Sequence, residues 1–438
     1  MQQRSKLTKG SFGHNVLMMF AGTAIGQLGP VIAAPLLTRL YSPEMFGVQG
    51  AFTAIIFIIA VIAALRYEMA ITLVKNDRDS ASLIALCGLT LLATTTIFTL
   101  ALLFFTPDHF AWADFGSLEP YRFLLPIGFA SIGAYQIMVY VATQQQDYKS
   151  IAQTKLYQGA AGPLSQIAMG FAHWGTLGLM IGFVIGQSMG ISQLVWRLII
   201  KKRDQMHGVT FASIAAMAKR YKNFPLLSSW SGLINAAGGG SMLAIAIPVL
   251  YSPVIAGYIF LTDRIVGRPL LMISTSILQV YLGETAKSIT SNPAAIRRRF
   301  LQLAMVQTGI VSFWLLIVNG LAGFVFPLAF GEEWGEAVPY LHILSIALLP
   351  QLVTHALIHT LQVLERQGLS AVWEISRLIV VGGALIISAR MGLSALDALL
   401  AYSICQAGAQ LVLIGLMYRS IQQIQKSPQE DVHAPTRP

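Results

Sequence analysis

An all-α, polytopic membrane fold of about twelve transmembrane helices in two six-helix bundles is what the sequence predicts. Three observations carry it: apolar runs long enough to cross a bilayer, a scarcity of charge, and a motif that recurs 210 residues further along the chain.

Of the 438 residues, 55% are hydrophobic and 11% charged, against roughly 25% charged in a soluble domain. That is too little polar material to cover a water-soluble particle of this size, and the mean hydropathy of +0.65 agrees. The runs 51–65, 83–105 and 303–328 are the plainest spans. A transmembrane β-barrel would show short alternating segments instead, and lipid satisfies no backbone group, so these runs must be helices. The net charge of +10 reads as Lys and Arg gathered on the cytoplasmic side, not as a nucleic-acid interface.

Taken in order, the basic start (Arg4, Lys6, Lys9) leads into an apolar stretch too long for a cleaved signal. It makes the first span, with the N-terminus in the cytoplasm. The spans then fall at 14–39, 45–73, 80–106, 121–144, 152–173, 176–199, 224–250, 254–283, 299–327, 335–364, 367–389 and 395–418. The fifth is amphipathic, carrying Gln153, Lys155, Gln158 and Gln166.

Charge checks the order independently. Segments 200–223 and 284–299 fall inside and hold Lys201, Lys202, Arg203, Lys219, Arg220, Lys222, then Lys287, Arg297, Arg298 and Arg299. Segments 107–120 and 328–337 fall outside and carry Asp108, Asp114, Glu119, then Glu332, Glu333 and Glu336, with no Lys or Arg. One span fewer would put basic and acidic loops on the same side. The C-terminus is then cytoplasmic too.

The repeat is Leu40-Tyr41-Ser42-Pro43 with Gly47, recurring as Leu250-Tyr251-Ser252-Pro253 with Gly257. The same offset pairs Gly22 with Gly232 and Gly29 with Gly239. Six spans per half is an even number, so both halves enter the membrane in the same orientation, related by an axis along its normal. The expected division is an N-terminal bundle at 1–200, a basic cytoplasmic linker at 201–223, a C-terminal bundle at 224–418 and a cytoplasmic tail at 419–438. Two such bundles make an alternating-access device. Cys87 and Cys405 both lie in apolar runs and read as small hydrophobes.

Several blocks resemble the Wzx-like polysaccharide-biosynthesis flippases of the MOP exporter superfamily. They are LLTRLYSPEMFG (36–47), ALRYEMAITL (64–73), KRYKNFPLLSSWSGLINA (219–236), the stretch 251–284, and FGEEWGEAVPYLHIL (330–344). Together they cover nearly the whole chain. The resemblance implies a MATE-like twelve-helix fold in the bacterial inner membrane. The implied partner is an undecaprenyl-diphosphate-linked glycan, of O-antigen, lipopolysaccharide or related pathways, moved from the cytoplasmic to the periplasmic face. Membrane lipids and other polysaccharide-assembly membrane proteins are the further partners expected, nucleic acid is not, and no cofactor is expected beyond coupling to a proton or sodium gradient.

Ionisable groups inside a span are costly and mark cavities or partners. The eighth span holds Asp263, Arg264 and Arg268. At 100° per residue Gly257, Arg264, Arg268, Thr275 and Gln279 share a face, with Arg264 roughly 16 Å from the outer end. In the eleventh span Ser370, Glu374, Arg377 and Ser388 share a face. One reading is a cationic cavity whose forked guanidinium donors take a diphosphate. The other is structural pairing, such as Glu374 with Arg377 one turn on. Arg66, with Glu68, sits near the cytoplasmic end of the second span, where a long side chain can snorkel; contact with the substrate is the other reading there. His355 and His359 have metal-ligand spacing but lack the Glu of H-E-x-x-H and a third ligand, so packing is expected. No phosphate-binding G-x-x-x-x-G-K-[ST] loop occurs, so the chain carries no ATPase of its own.

Two other functions fit the span count. A MATE-type drug or cation antiporter would favour carboxylates in its cavity, whereas arginines lead here. A glycan polymerase or ligase would need a large periplasmic loop, and the longest outer loop is about 14 residues. Transport, without chemistry on the substrate, is the expectation.

Overall fold

The structure is a computed structural model describing residues 26, 28–74, 76–104, 115–198, 209–238, 241–275, 277–278, 293–358, 360–364 and 366–426. Among these residues there is no strand. Eight helices are long and apolar enough to span a membrane: Pro43–Ile62, Asp77–Phe104, Leu124–Gln144, Gly175–Arg197, Ile296–Phe330, Glu332–Leu357, Gly368–Arg390 and Ala395–Gln423. Phe224–Gly238 and Ser241–Leu250 form a bent pair, at 58°, that adds a ninth. Leu28–Leu40 is the described part of the first span, Tyr148–Phe171 is polar, and Pro253–Thr262 runs through a π turn into helix 268–275. With these three, one helical segment stands at each of the twelve predicted spans. Exposed Leu92, Ile97, Phe313, Phe324, Ile379 and Ile387 give these helices the apolar outer faces that lipid requires.

The polar fifth span turns its polar side chains inward. Gln166 donates Nε2 to the Leu179 carbonyl (2.9 Å), and Gln158 donates to the Gln187 carbonyl (3.1 Å). Tyr41 in turn donates its hydroxyl to the Gln166 carbonyl (2.6 Å). In a medium without water these bonds are what make the amides tolerable, and they fix the fifth and sixth helices side by side.

Contacts gather the chain into two compact units, 1–265 with 326–335, and 266–325 with 336–438. The first is built on two apolar clusters. One surrounds Phe52, Ile56, Phe129 and Met180; the other surrounds Ile71, Leu83, Cys87 and Val141. The second unit centres on Phe300, Leu357, Trp373 and Met417.

Within the first unit the repeated motifs meet. Ser42 and Ser252 each cap their following helix, accepting from Met45 N and Val254 N, and Pro43 and Pro253 each open it. Gly47 lies against the Pro253 carbonyl, and Gly257 against the Pro43 carbonyl. Each half therefore supplies a proline carbonyl that the other half's glycine receives. A side chain at either glycine would fill the crossing, which is why glycine stands at both equivalent positions. This reciprocal contact also holds the start of the second repeat in the first unit. Gly22 and Gly239, the other members of the aligned pairs, lie outside the described residues.

Candidate functional site

Arg264 stands in the π turn Asp263–Gly267, where the eighth span departs from regular α geometry. An i→i+5 turn changes the angular step, so the straight polar stripe expected from 100° steps is broken in its middle. Arg264 is 8% exposed. Its Nε donates to the Pro30 carbonyl (3.0 Å), and its guanidinium lies 5.9 Å from the centre of the Phe46 ring. Both partners are apolar residues of the first two spans, which periodicity could not have paired with it. Asp263 is half-buried, and Arg268 is exposed at the start of helix 268–275. Thr275 shares a hydrogen bond of 3.5 Å with His355 Nε2, while Gln279 and His359 lie outside the described residues.

In the eleventh span, Gly368–Arg390, Arg377 donates to Glu374 at 3.0 Å and lies over the Trp373 ring at 5.2 Å. Side-chain exposure is 7% for Arg377 and 14% for Glu374. Trp373 is itself held by its indole N–H to the Ala409 carbonyl (2.8 Å). The i,i+3 pairing foreseen as the structural alternative is thus formed, and it presents a guanidinium at a fixed place.

Arg66 occupies a break in the second span. Leu65 and Arg66 are both left-handed, with φ of 48° and 64°. For residues with a Cβ that conformation costs about 1–2 kcal/mol each. The break turns Glu68 into the interior, 2% exposed, with one carboxylate oxygen lacking a hydrogen-bond partner. The Arg66 guanidinium lies against Gly232 of the seventh span. Arg66 therefore packs inside the first unit instead of reaching out to the headgroups. Nothing in the apolar run 51–65 signalled the break.

Sequence reasoning also passed over Trp334. It is 1% exposed and donates its indole N–H to the Thr38 carbonyl (3.1 Å). Its ring stands edge-on to Phe46 (5.0 Å) and Tyr258 (6.1 Å). Phe46 is therefore shared between Arg264 and Trp334. The available signal was a tryptophan inside the acidic segment 328–337, between Glu333 and Glu336. Lys155, half-buried, lies 4.6 Å over the Tyr135 ring. Among the described residues no group of three or more His, Cys, Asp or Glu is placed to hold a metal.

The polysaccharide biosynthesis protein family matches residues 36–339. No curated protein matches the chain. Among solved structures, the chain is similar to the lipid II flippase MurJ in an inward closed conformation, at 13% identity and a TM-score of 0.68, covering 94% of this chain and 90% of that one. It is similar to an outward-facing multidrug resistance MATE family transporter of the MOP superfamily, at 15% identity and a TM-score of 0.58, covering 94% and 96%. A third is a MOP superfamily transporter from Pyrococcus furiosus whose binding pocket is described as reversed in polarity, at 16% identity and a TM-score of 0.56, covering 94% and 96%. At these identities the likeness is one of fold, and it bears out the MATE-like, all-α expectation.

Proposed function

The chain belongs to the polysaccharide biosynthesis protein family, and on that premise we propose that it is a flippase for an undecaprenyl-diphosphate-linked oligosaccharide. It moves this lipid from the cytoplasmic to the periplasmic face of the inner membrane by alternating access, driven by a proton or sodium gradient. The family match is the observation that carries the reading. The fold alone does not, because the same fold is seen in a multidrug transporter and in a lipid II flippase.

The chemistry of the arginines in the eighth and eleventh spans supports it. Guanidinium stays charged at every working pH and offers planar, forked donors matched to phosphate oxygens. Arg264, Arg268 and Arg377 are the groups that would receive the diphosphate. Glu374 orients Arg377, Asp263 and Glu374 offset part of the positive charge, and Arg66 serves the inner end. The Arg264 Nε bond to Pro30 uses one of five donors and fixes the plane of the fork.

The test replaces the chromosomal copy with Arg264→Ala, Arg264→Lys or Arg268→Ala and measures surface glycan beside the amount of protein in the membrane. The reading expects glycan to fall about ten- to hundredfold at normal protein levels, the loss of a charged hydrogen bond being about 1.5–3 kcal/mol. Lysine at 264 should restore only part. Lipid-linked glycan should accumulate on the inner face. Normal glycan from normally inserted variants would overturn the site, and drug sensitivity without a glycan defect would point to the antiporter.

A further inference from the structure

The link between the sixth and seventh spans contains a helix, Phe211–Arg220, capped by a reciprocal Thr210–Ser213 box. Its inward stripe is apolar: Met217 is buried, and Ile214, Ala218 and Tyr221 pack on the same cluster as Leu83 and Cys87. Three polar contacts pin it to the end of the second span and the start of the third. Ser82 donates to Ser213 Oγ (2.9 Å), Tyr67 donates to the Ala218 carbonyl (3.4 Å), and Arg220 meets Asp79 at 3.8 Å. Ser213 and Arg220 are about 10 Å apart along their own helix, whereas Asp79 and Ser82 are about 4.5 Å apart along the third span. The connecting helix therefore lies across the span, at the depth of its first two turns.

The outward side of this helix is unusual for one meant to face water. Phe211, Ala212, Ala215 and Ala216 are exposed and carry no polar side-chain group, with Phe211 at 83%. Beyond them come exposed Lys219, Arg220 and Lys222, then exposed Leu226, Leu227 and Trp230 leading into the seventh span. Apolar surface, a basic rim and an aromatic anchor in that order match the boundary between acyl chains and headgroups. Asp77, Asp79 and Arg78 at the start of the third span are the other charged groups nearby, and Asp79 is engaged by Arg220.

We propose that the Phe211–Arg220 helix lies in the cytoplasmic leaflet and is a binding surface for anionic phospholipid, with Phe211 and the three alanines among the acyl chains and Lys219, Arg220 and Lys222 on the headgroup phosphates. Water-facing placement would leave four adjacent apolar side chains uncovered, and a zwitterionic leaflet would leave the basic rim unmatched. Each Lys or Arg near an anionic bilayer surface favours binding to it by about fivefold.

The test uses the full chain in vesicles of phosphatidylcholine with phosphatidylglycerol as the anionic lipid, whose negative surface attracts basic residues. An environment-sensitive fluorophore is attached at Ala215→Cys, with Cys405→Ala and the buried Cys87 retained. Bromine quencher is placed on one lipid or the other at equal mole fraction. The expected result is quenching about twofold or more stronger from brominated phosphatidylglycerol. The preference should shrink in about 1 M salt, where charges are screened beyond roughly 3 Å, and should vanish in Lys219→Gln/Lys222→Gln. Quenching by neither lipid would put the face in water and overturn the proposal. So would equal quenching by both, or a preference that survives both salt and the double substitution.

Discussion

Alanine in place of Gly47 puts a methyl group where two helices from different repeats already touch backbone to backbone. The added Cβ would stand 2.8 Å from the Pro253 carbonyl carbon and 2.9 Å from the Gly257 nitrogen. The Pro253 carbonyl oxygen is nearer still, so the helices Pro43–Ile59 and Pro253–Thr262 must part by more than the roughly 0.6 Å that would take the carbonyl carbon from 2.8 Å to an ordinary 3.4 Å. Neither neighbour is a flexible side chain that could swing away. Overpacking of this kind costs about 1–3 kcal/mol. It outweighs the gain of about 0.5–1 kcal/mol that alanine brings to a helix interior.

Gly257→Ala is equivalent, with its Cβ 2.6 Å from the Pro43 carbonyl carbon. Because one separation relieves both clashes, the double variant should lose less than the two single losses together. Gly320→Ala is the control, since nothing lies within 4 Å of its added Cβ. Thermal inactivation midpoints of purified protein in one detergent supply the comparison. A Gly47→Ala protein as stable as Gly320→Ala, or strictly additive single losses, would refute the reciprocal crossing.

Three more outcomes follow from the same geometry. Arg377→Ala removes the guanidinium paired with the Glu374 carboxylate and should cost about 3–5 kcal/mol, read as lost membrane abundance, whereas Arg377→Met with Glu374→Leu should recover most of it. Trp334→Phe keeps the ring contacts but drops the bond to Thr38 and should cost about 0.5–1.5 kcal/mol. Trp334→Ala empties the site and should cost about 3–5 kcal/mol, so equal midpoints for the two variants would show that Trp334 is not packed as described. Reporter fusions after 210 and 292 should be cytoplasmic and those near 112 and 333 periplasmic, and a periplasmic signal at 210 would break the span order.

Much of the fold was legible from local properties. The helices at 77–104, 124–144 and 395–423 stand where the apolar runs put them, because a helix in lipid satisfies its backbone within itself and needs no distant partner. The amphipathic character of the fifth span was legible too, but not its meaning. Only the placement of Leu179 and Gln187 beside Gln166 and Gln158 shows that the polarity serves helix contact. The candidate residues could be named from the sequence, but their neighbours could not. Arg377 found the partner one turn away, which spacing could foresee. Arg264 instead found a carbonyl 234 residues distant and a ring in the second span.

The sequence by itself determined the class, the order of spans and the twofold repeat, since hydrophobic length and motif recurrence are read along the chain. Tertiary structure alone decided that the repeats touch through Gly47 and Gly257, that the second span breaks at Leu65 and Arg66, and that a π turn sets Arg264 on Phe46. Each of these is settled by which backbone atoms come close in three dimensions. Neighbours far apart in the chain leave no periodic trace in it, and an all-apolar helix can bend, over-turn or approach another without changing its hydropathy.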